Sequence, residues 1–169
     1  MTDLAALLHR LEEGADARMT VPASEEELHR IDEALGRPLP APLRSLLHEV
    51  GSGLYEGGHE IFGPLRLMLH DIELVPDLLS VRARLMAEGL LHPQFLPFHR
   101  GGATFHLIRT EGAGSGCVVS LPSGRVYADL ASFIEQVLLR ARGGADPRPT
   151  KPSASTSGGM TCFRPKVNA

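Results

Sequence analysis

Two histidine-glutamate pairs, His48-Glu49 and His59-Glu60, are the residues that come closest to a metal site. In the zinc-protease signature, a second histidine three residues after the glutamate places both ligands on one helical face. That position holds a serine after the first pair and a glycine after the second. We therefore expect core or solvated histidines, and no metal or other cofactor.

Two glycine-rich segments, GSGLYEGG at 51–58 and EGAGSG at 111–116, have the composition of phosphate-binding loops. A Walker loop ends in Gly-Lys-Ser/Thr, and neither segment contains a lysine. Gly51, Gly53 and Gly57 do not have the G-x-G-x-x-G spacing of a dinucleotide site, and they follow a predicted helix. Both segments are therefore predicted to be turns without a nucleotide.

No nucleophile is placed for catalysis. Cys117 opens an apolar segment that has no histidine to activate the thiol. Ser115 is flanked directly by glycines, whereas a nucleophile elbow needs G-x-S-x-G before a helix. Cys117 and Cys162 form neither a disulfide framework nor a zinc spacing. We therefore predict no catalytic residue and no enzyme activity.

The end of the first glycine-rich segment is better suited to binding a protein. It contains Tyr55, Glu56, His59 and Glu60, an aromatic residue flanked by carboxylates in a predicted exposed loop. Such a group can anchor a basic partner, and exposed loops often carry function. We take these four residues as candidate partner-binding residues.

Charge is distributed unevenly along the chain. Residues 143–169 contain four basic residues and one acidic residue, so of the 17 basic and 20 acidic residues, 13 and 19 remain in residues 1–142. The first part therefore has a net charge of −6 and the second of +3. Phosphate affinity comes from cations, so we predict no nucleic-acid binding. An acidic domain favours a basic protein partner.

The sequence has no apolar run near the roughly 18 residues that cross a membrane. Its first residues, MTDLAALLHRLEEG, lack the basic n-region of a signal peptide and contain three carboxylates. We therefore expect a cytoplasmic protein that does not contact membranes.

Hydrophobic periodicity predicts helices at both ends of the first 142 residues. Apolar residues recur at helical spacing near residues 4–11, 28–35, 43–50 and 130–138. Ser24 and Glu27 form the S-x-x-E pattern of a capping box before the second stripe. A less regular helix is predicted over 72–90.

Short β-rich segments at 104–108, 117–121 and 125–127 predict strands joined by turns. Helices, then strands, then a closing helix indicate an α+β fold, with helices packed on one face of a mainly antiparallel sheet. We assign residues 1–142 to this single domain. Residues 143–169 are rich in Gly, Pro and Ser and basic in charge, and are predicted to be a disordered tail.

In order and spacing, these segments resemble the SUKH superfamily, a cell-wall-assembly-regulator-like domain common in bacterial toxin-immunity loci. The resemblance covers roughly residues 22–140 and is carried by SEEELHRIDEALGRPLPAPLRSLLHEVGSG, GLYEGGHEIFGP, LPFHRGGATFHLI and GCVVSLPSGRVYADLASFIEQVL. This chain has no Trp near the glycine-rich segment, where relatives often have one. It also has His99 and Arg100 where acidic residues are more common, and Arg100 completes our set of candidate partner-binding residues.

The resemblance implies a binding domain without catalytic residues. Many relatives look like immunity proteins that bind and neutralise a secreted toxin, often a nuclease or deaminase. Others look like regulators that scaffold partners. We therefore expect an immunity protein with a basic toxin domain as its partner. The alternative is a regulatory scaffold that uses the tail as a second contact.

Overall fold

The computed structural model describes residues 3–13 and 19–140, apart from the side chain of Glu56. The tail at 143–169 lies outside the described residues, so its disorder stays a prediction. Within the described residues, no helix combines the length and apolarity needed to span a membrane.

Nine strands are present in these residues. They are β1 (Met19–Val21), β2 (Ser52–Tyr55), β3 (His59–Ile61), β4 (Leu67–Leu69), β5 (Ile72–Val75), β6 (Phe95–Gly101), β7 (Thr104–Arg109), β8 (Val118–Leu121) and β9 (Val126–Tyr127). Seven of them form one sheet in the order β1-β2-β3-β6-β7-β8-β9, and every neighbouring pair is antiparallel. Strands β4 and β5 form a separate hairpin.

Five helices complete the fold. They are α1 (Leu4–Glu13), α2 (Glu25–Leu35), α3 (Ala41–Ser45, continuing as a π-helical turn over Leu46–Val50), α4 (Leu78–Ala87) and α5 (Leu130–Phe133, continuing likewise over Ile134–Leu138). Helices α1, α3 and α5 contact one another, and α4 contacts β6. The predicted α+β fold with a mainly antiparallel sheet is therefore confirmed.

The capping box that begins α2 is present as the sequence predicts. The Ser24 hydroxyl accepts a hydrogen bond from the Glu27 amide at 3.3 Å, and the Glu27 carboxylate accepts one from the Ser24 amide at 2.8 Å. At the other end, Gly36 adopts a left-handed φ of 68° and closes the helix. Arg44 of α3 then pairs with Glu25 at 2.7 Å and with Asp32, which ties α3 to α2.

Two local predictions were wrong. Ile72–Val75, expected as helix, is the second strand of the β4–β5 hairpin, and α4 begins only after Asp77, which caps it through the Ser80 amide at 2.8 Å. Ser52–Tyr55, expected as loop, is a strand paired on both edges. Its Gly53 has a φ of 140° and lies against the backbone of β1, so glycine here permits close approach of two strands.

Three hairpin turns lie side by side at one end of the sheet. The turn at Glu56–Gly58 joins β2 to β3, Gly101–Thr104 joins β6 to β7, and Leu121–Val126 joins β8 to β9. Because neighbouring strands run in opposite directions, all three turns lie at the same end of the sheet. We call this end the hairpin rim, and the candidate residues lie on it or beside it.

The core extends through the sheet. Five consecutive residues of β6, Phe95 to His99, are buried, and those before the irregularity at Pro97–His99 alternate between the two faces of the sheet. The centre of β6 is therefore covered on both faces. Phe62, Phe98 and Phe133 are among the largest side chains that are completely buried.

Candidate functional site

Glu60 and Arg100 form a cross-strand ion pair next to the hairpin rim. The register of β3 on β6 places the two residues directly opposite each other. Arg100 Nε donates to Glu60 Oε2 at 3.0 Å, and Arg100 Nη2 donates to Glu60 Oε1 at 2.7 Å. This bidentate geometry fixes both side chains more firmly than a single contact would.

The pair is accessible mainly through its arginine. The Arg100 side chain is 31% exposed, against 14% for Glu60. The guanidinium also lies over the ring of Phe105, 5.9 Å from its centroid, on the neighbouring strand β7. Arg100 is therefore held at the sheet surface by two neighbours while part of its side chain remains exposed.

Tyr55 does not occupy the exposed position that the sequence suggested. Its side chain is only 7% exposed, and its hydroxyl donates to the carbonyl of Gly51 at 3.3 Å. This last residue of β2 is therefore part of the core, and it offers no exposed anchor. Glu56 begins the turn at the rim, and its side chain lies outside the described part of the structure.

His59, the first residue after that turn, belongs to a chain of three imidazoles. Its Nδ1 lies 3.0 Å from Nε2 of His99, and Nδ1 of His99 lies 2.9 Å from Nδ1 of His106. The sheet register brings the three together, because Ile61 pairs with His99 and His99 pairs with His106. The hydrogen bonds thus run from the half-buried His59 to two buried rings.

Hydrogen-bond counting restricts the tautomers of this chain. A neutral imidazole has one N–H donor and one acceptor nitrogen, so His99 donates to one neighbour and accepts from the other. Either His59 donates to His99 and His99 to His106, or both bonds run in the opposite direction. The two states differ only in which ring nitrogens of the three histidines carry the protons.

Burial favours the neutral forms of all three rings. It lowers the pKa of His59, and it holds the pKa of His99 well below its ordinary range, with the charges of His106 and His59 adding to the effect. Burial, together with His59 and Arg125, lowers the pKa of His106 to about 4. Phe133 packs on His99 and His106 with ring centroids 5.1 and 4.7 Å apart, which excludes water from them.

The chain of histidines is not arranged around a common point. His99 uses one ring nitrogen towards His59 and the other towards His106, so its two nitrogens point in different directions. Among the residues that the structure describes, no group of three or more histidine, cysteine or acidic side chains is placed to hold a metal ion.

The sequence pointed to His59 but not to its two partners. One signal for them was present: a hairpin with a tight turn at Gly102-Ala103 places residues whose numbers sum to 205 opposite each other, and His99 and His106 satisfy this condition. Nothing local indicates that His59, 40 residues before His99, would join them.

Comparisons with known proteins agree with this fold. A crystal structure of a protein from Pseudomonas syringae pv. tomato aligns with a TM-score of 0.58 and 17% identity, covering 79% of this chain and 96% of that one. At this identity the likeness concerns the fold alone. No match was found among curated proteins. The model of the SMI1 / KNR4 family (SUKH-1) matches residues 22–138, more than half of the chain, and the chain therefore belongs to this family.

Proposed function

We propose that this chain is a non-enzymatic protein-binding domain that acts as an immunity protein, binding and neutralising a bacterial toxin of the nuclease or deaminase type. The binding surface is the hairpin rim with Glu60, Arg100 and His59. The observation that carries the proposal is the cross-strand Glu60–Arg100 pair, partly exposed beside three adjacent turns.

Rigidity supports a role in binding. Strand β3 is hydrogen-bonded on both edges, and β6 is paired along its whole length. Charged side chains on such strands lose little conformational freedom when a partner docks, because the sheet and their mutual hydrogen bonds already hold them. A preorganised ion pair fixes orientation and selects partners by charge.

Charge supports a basic partner. Residues 1–142 contain six more acidic than basic residues, which attracts a cationic protein over long range. Nucleases and other toxins that act on nucleic acids need cationic surfaces to hold phosphates. The membership of the chain in the SMI1 / KNR4 family fits this role, because many SUKH domains look like immunity proteins.

Co-expression with the product of an adjacent toxin gene tests the proposal. We expect the full chain to restore growth and to co-purify with the toxin. The double variant Glu60→Arg with Arg100→Glu keeps an ion pair but exchanges its charges, so binding should fall at least about tenfold. The matched control exchanges Glu26 and Arg30, an exposed pair 2.5 Å apart on α2, and should bind normally.

Two results would contradict the proposal. Failure to neutralise or retain any neighbouring toxin removes its main support, and equal binding by both exchanged variants would place the interface elsewhere.

Deleting residues 143–169 distinguishes the immunity role from the alternative scaffold role. If binding is lost with the tail, the regulatory scaffold gains support, whereas unchanged binding favours an immunity protein that uses the domain alone.

A further inference from the structure

The imidazole of His59 lies between two turns of the hairpin rim. Its Nδ1 and Cε1 are 3.0 and 3.1 Å from the position that a Cβ on Gly101, in the second turn, would occupy. Its Cδ2 and Nε2 are 3.5 and 3.8 Å from the corresponding position on Gly57, in the first turn. A side chain at residue 101 would crowd the ring, so Gly101 leaves the room that the imidazole uses. The ring is therefore fixed within the rim, with Nε2 on the side of the first turn.

The other end of the histidine chain lies near the third turn. Arg125 of that turn places its guanidinium 4.9 Å from the centroid of the Tyr127 ring, and this ring lies 6.1 Å from that of His106. Burial, then His59 and then the charge of Arg125 lower the pKa of His106, whereas burial alone lowers the pKa of His59. A permanent positive charge therefore disfavours a proton at the His106 end.

The chain can accept one proton without losing a hydrogen bond. Three neutral rings have three N–H groups, and two of these make the two hydrogen bonds. When His59 is charged, it donates to His99, and His99 donates to His106, so both bonds remain. When two of the rings are charged, two N–H groups face each other at one of the two contacts. A second proton therefore breaks a bond that the first proton leaves intact.

Burial determines which ring takes the first proton. His99 is 0% exposed and His106 is 5% exposed, whereas His59 is only half-buried. A charged imidazole is favoured where water reaches it and disfavoured where it is enclosed. The first proton therefore resides on His59, at the end of the chain that lies in the rim.

No described carboxylate pairs with any of the three rings. The Glu60–Arg100 ion pair lies on the opposite face of the sheet, because Glu60 follows His59 directly along β3. Apart from Arg125, the other groups that face the chain are uncharged: Tyr55 of β2, Ser120 of β8, Tyr127 of β9 and Phe133 of α5. His59 is therefore neutral at neutral pH and gains its proton only below about pH 6.5.

We propose that His59, His99 and His106 form an acid switch at the hairpin rim, in which one proton taken up at His59 adds a positive charge to the rim and weakens the binding of a basic partner. The first proton keeps both hydrogen bonds, so the rim changes its charge without losing its structure. A unit positive charge about 8 Å from a partner cation should weaken binding at least about fivefold. The switch rests on the proposed function, because it needs a basic partner at the rim.

Nuclear magnetic resonance of the isotope-labelled full chain locates the first proton without any partner. As the pH falls from about 7 to about 5.5, both nitrogens of His59 should become protonated, while Nε2 of His99 and Nδ1 of His106 stay unprotonated. The amide signals of Gly57 and Gly102 in the rim should shift with the same midpoint. First protonation at His99 or His106, or protonation that occurs only as the chain unfolds, would overturn the proposal.

The affinity for the toxin that the chain retains in co-expression tests the effect on binding. We expect binding to be at least about fivefold weaker at about pH 5.5 than at about pH 7. By linkage, bound toxin should lower the midpoint of the His59 titration by the matching factor. Equal affinity at the two pH values would exclude the switch and leave the immunity role intact. A chain that retains no toxin would fail as an immunity protein, and the switch would fail with it.

Three variants assign the pH dependence to one side chain. His59→Gln keeps hydrogen-bonding groups but does not titrate, so it should lose the fall in affinity between the two pH values. His29→Gln, at an exposed position of α2, is the matched control and should keep that fall. Glu56→Gln should keep it as well, and its loss in this variant would assign the proton to Glu56 and contradict the proposal. Dispersed amide spectra at the lower pH show that the compared chains are folded.

Discussion

Nδ1 of His99 lies 2.9 Å from Nδ1 of His106, and both rings are almost completely buried, with exposures of 0% and 5%. Two imidazoles at this distance share one proton, so the contact is a hydrogen bond only while at least one of the two nitrogens is unprotonated. Acid that charges both rings would turn the attraction into repulsion within a site that excludes water.

Acidification should therefore destabilise the fold. Burial lowers the pKa of His106 to about 4 in the folded chain, whereas an unfolded histidine has a pKa of about 6.5. As pH falls below about 6.5 the unfolded chain binds protons first, so stability that is complete at neutral pH is lost progressively down to about pH 4. We expect His106 alone to account for a fall of about 2 kcal/mol between pH 7 and pH 5.

Urea unfolding of His106→Gln at several pH values measures this contribution. Glutamine keeps hydrogen-bonding groups but does not titrate, so the fall from pH 7 to pH 5 should shrink by about 2 kcal/mol. His29→Gln, at an exposed position of α2, should leave the slope unchanged. Equal slopes in His106→Gln and the unaltered chain would show that His106 is not kept neutral.

Phe133 keeps water from the histidine chain. Its ring contacts Phe98 and Tyr127 edge-on at 5.2 and 5.4 Å, and it packs on His106. We expect Phe133→Leu to cost about 1–2 kcal/mol in unfolding free energy, because it leaves unfilled volume. The cavity should also let solvent approach, so the pKa of His106 should rise from about 4 towards its ordinary value.

Phe62→Leu is the control for this prediction. Phe62 is equally buried but faces Phe105, with ring centroids 6.3 Å apart. The Phe62→Leu variant should lower the unfolding free energy by a similar amount. It should leave the histidine titration unchanged, as followed by nuclear magnetic resonance of the imidazole protons. A matching pKa change in both variants would mean that general loosening, and not the loss of Phe133, admits water.

The ion pair at the rim should contribute modestly to stability. In a double-mutant cycle of Glu60→Gln and Arg100→Gln, we expect a coupling energy of about 1 kcal/mol, above the usual value for exposed pairs because the geometry is bidentate and Glu60 is mostly covered. The same cycle on Glu26 and Arg30, both exposed, should give less than about 0.5 kcal/mol. Equal coupling in the two cycles would contradict this difference.

The sequence predicted those helices, caps and strands that depend on residues close together in the chain. Leu4 to Leu11 repeat at helical spacing and form α1, and Ser24 with Glu27 caps α2 as predicted. The strands β7 and β8 follow from β-branched and aromatic runs between turns. In each case the evidence lies within about a dozen residues, where periodicity and capping act.

Features that depend on distant partners were missed. Ile72–Val75 alternates too briefly to be recognised as a strand, and pairing with β4 determines its structure. Tyr55 is expected to be exposed from its glycine-rich neighbours, yet it belongs to strand β2 and its side chain packs in the hydrophobic core. His59, His99 and Arg100 acquire their contacts from the β3–β6 register, which joins segments 40 residues apart.

Gly53 gives the sharpest test of that long-range register. Its φ of 140° is disfavoured for other residues, and a Cβ there would lie 2.0 Å from the carbonyl oxygen of Met19 on β1. We expect Gly53→Ala to separate β1 from β2 and to lower the unfolding free energy by about 2 kcal/mol or more. Gly89→Ala, where φ is 69° and no atom lies within 4 Å, should cost only about 1 kcal/mol. Hydrogen exchange should be faster at the β1 amides in Gly53→Ala alone, and unchanged exchange there would show that β1 tolerates the added methyl group.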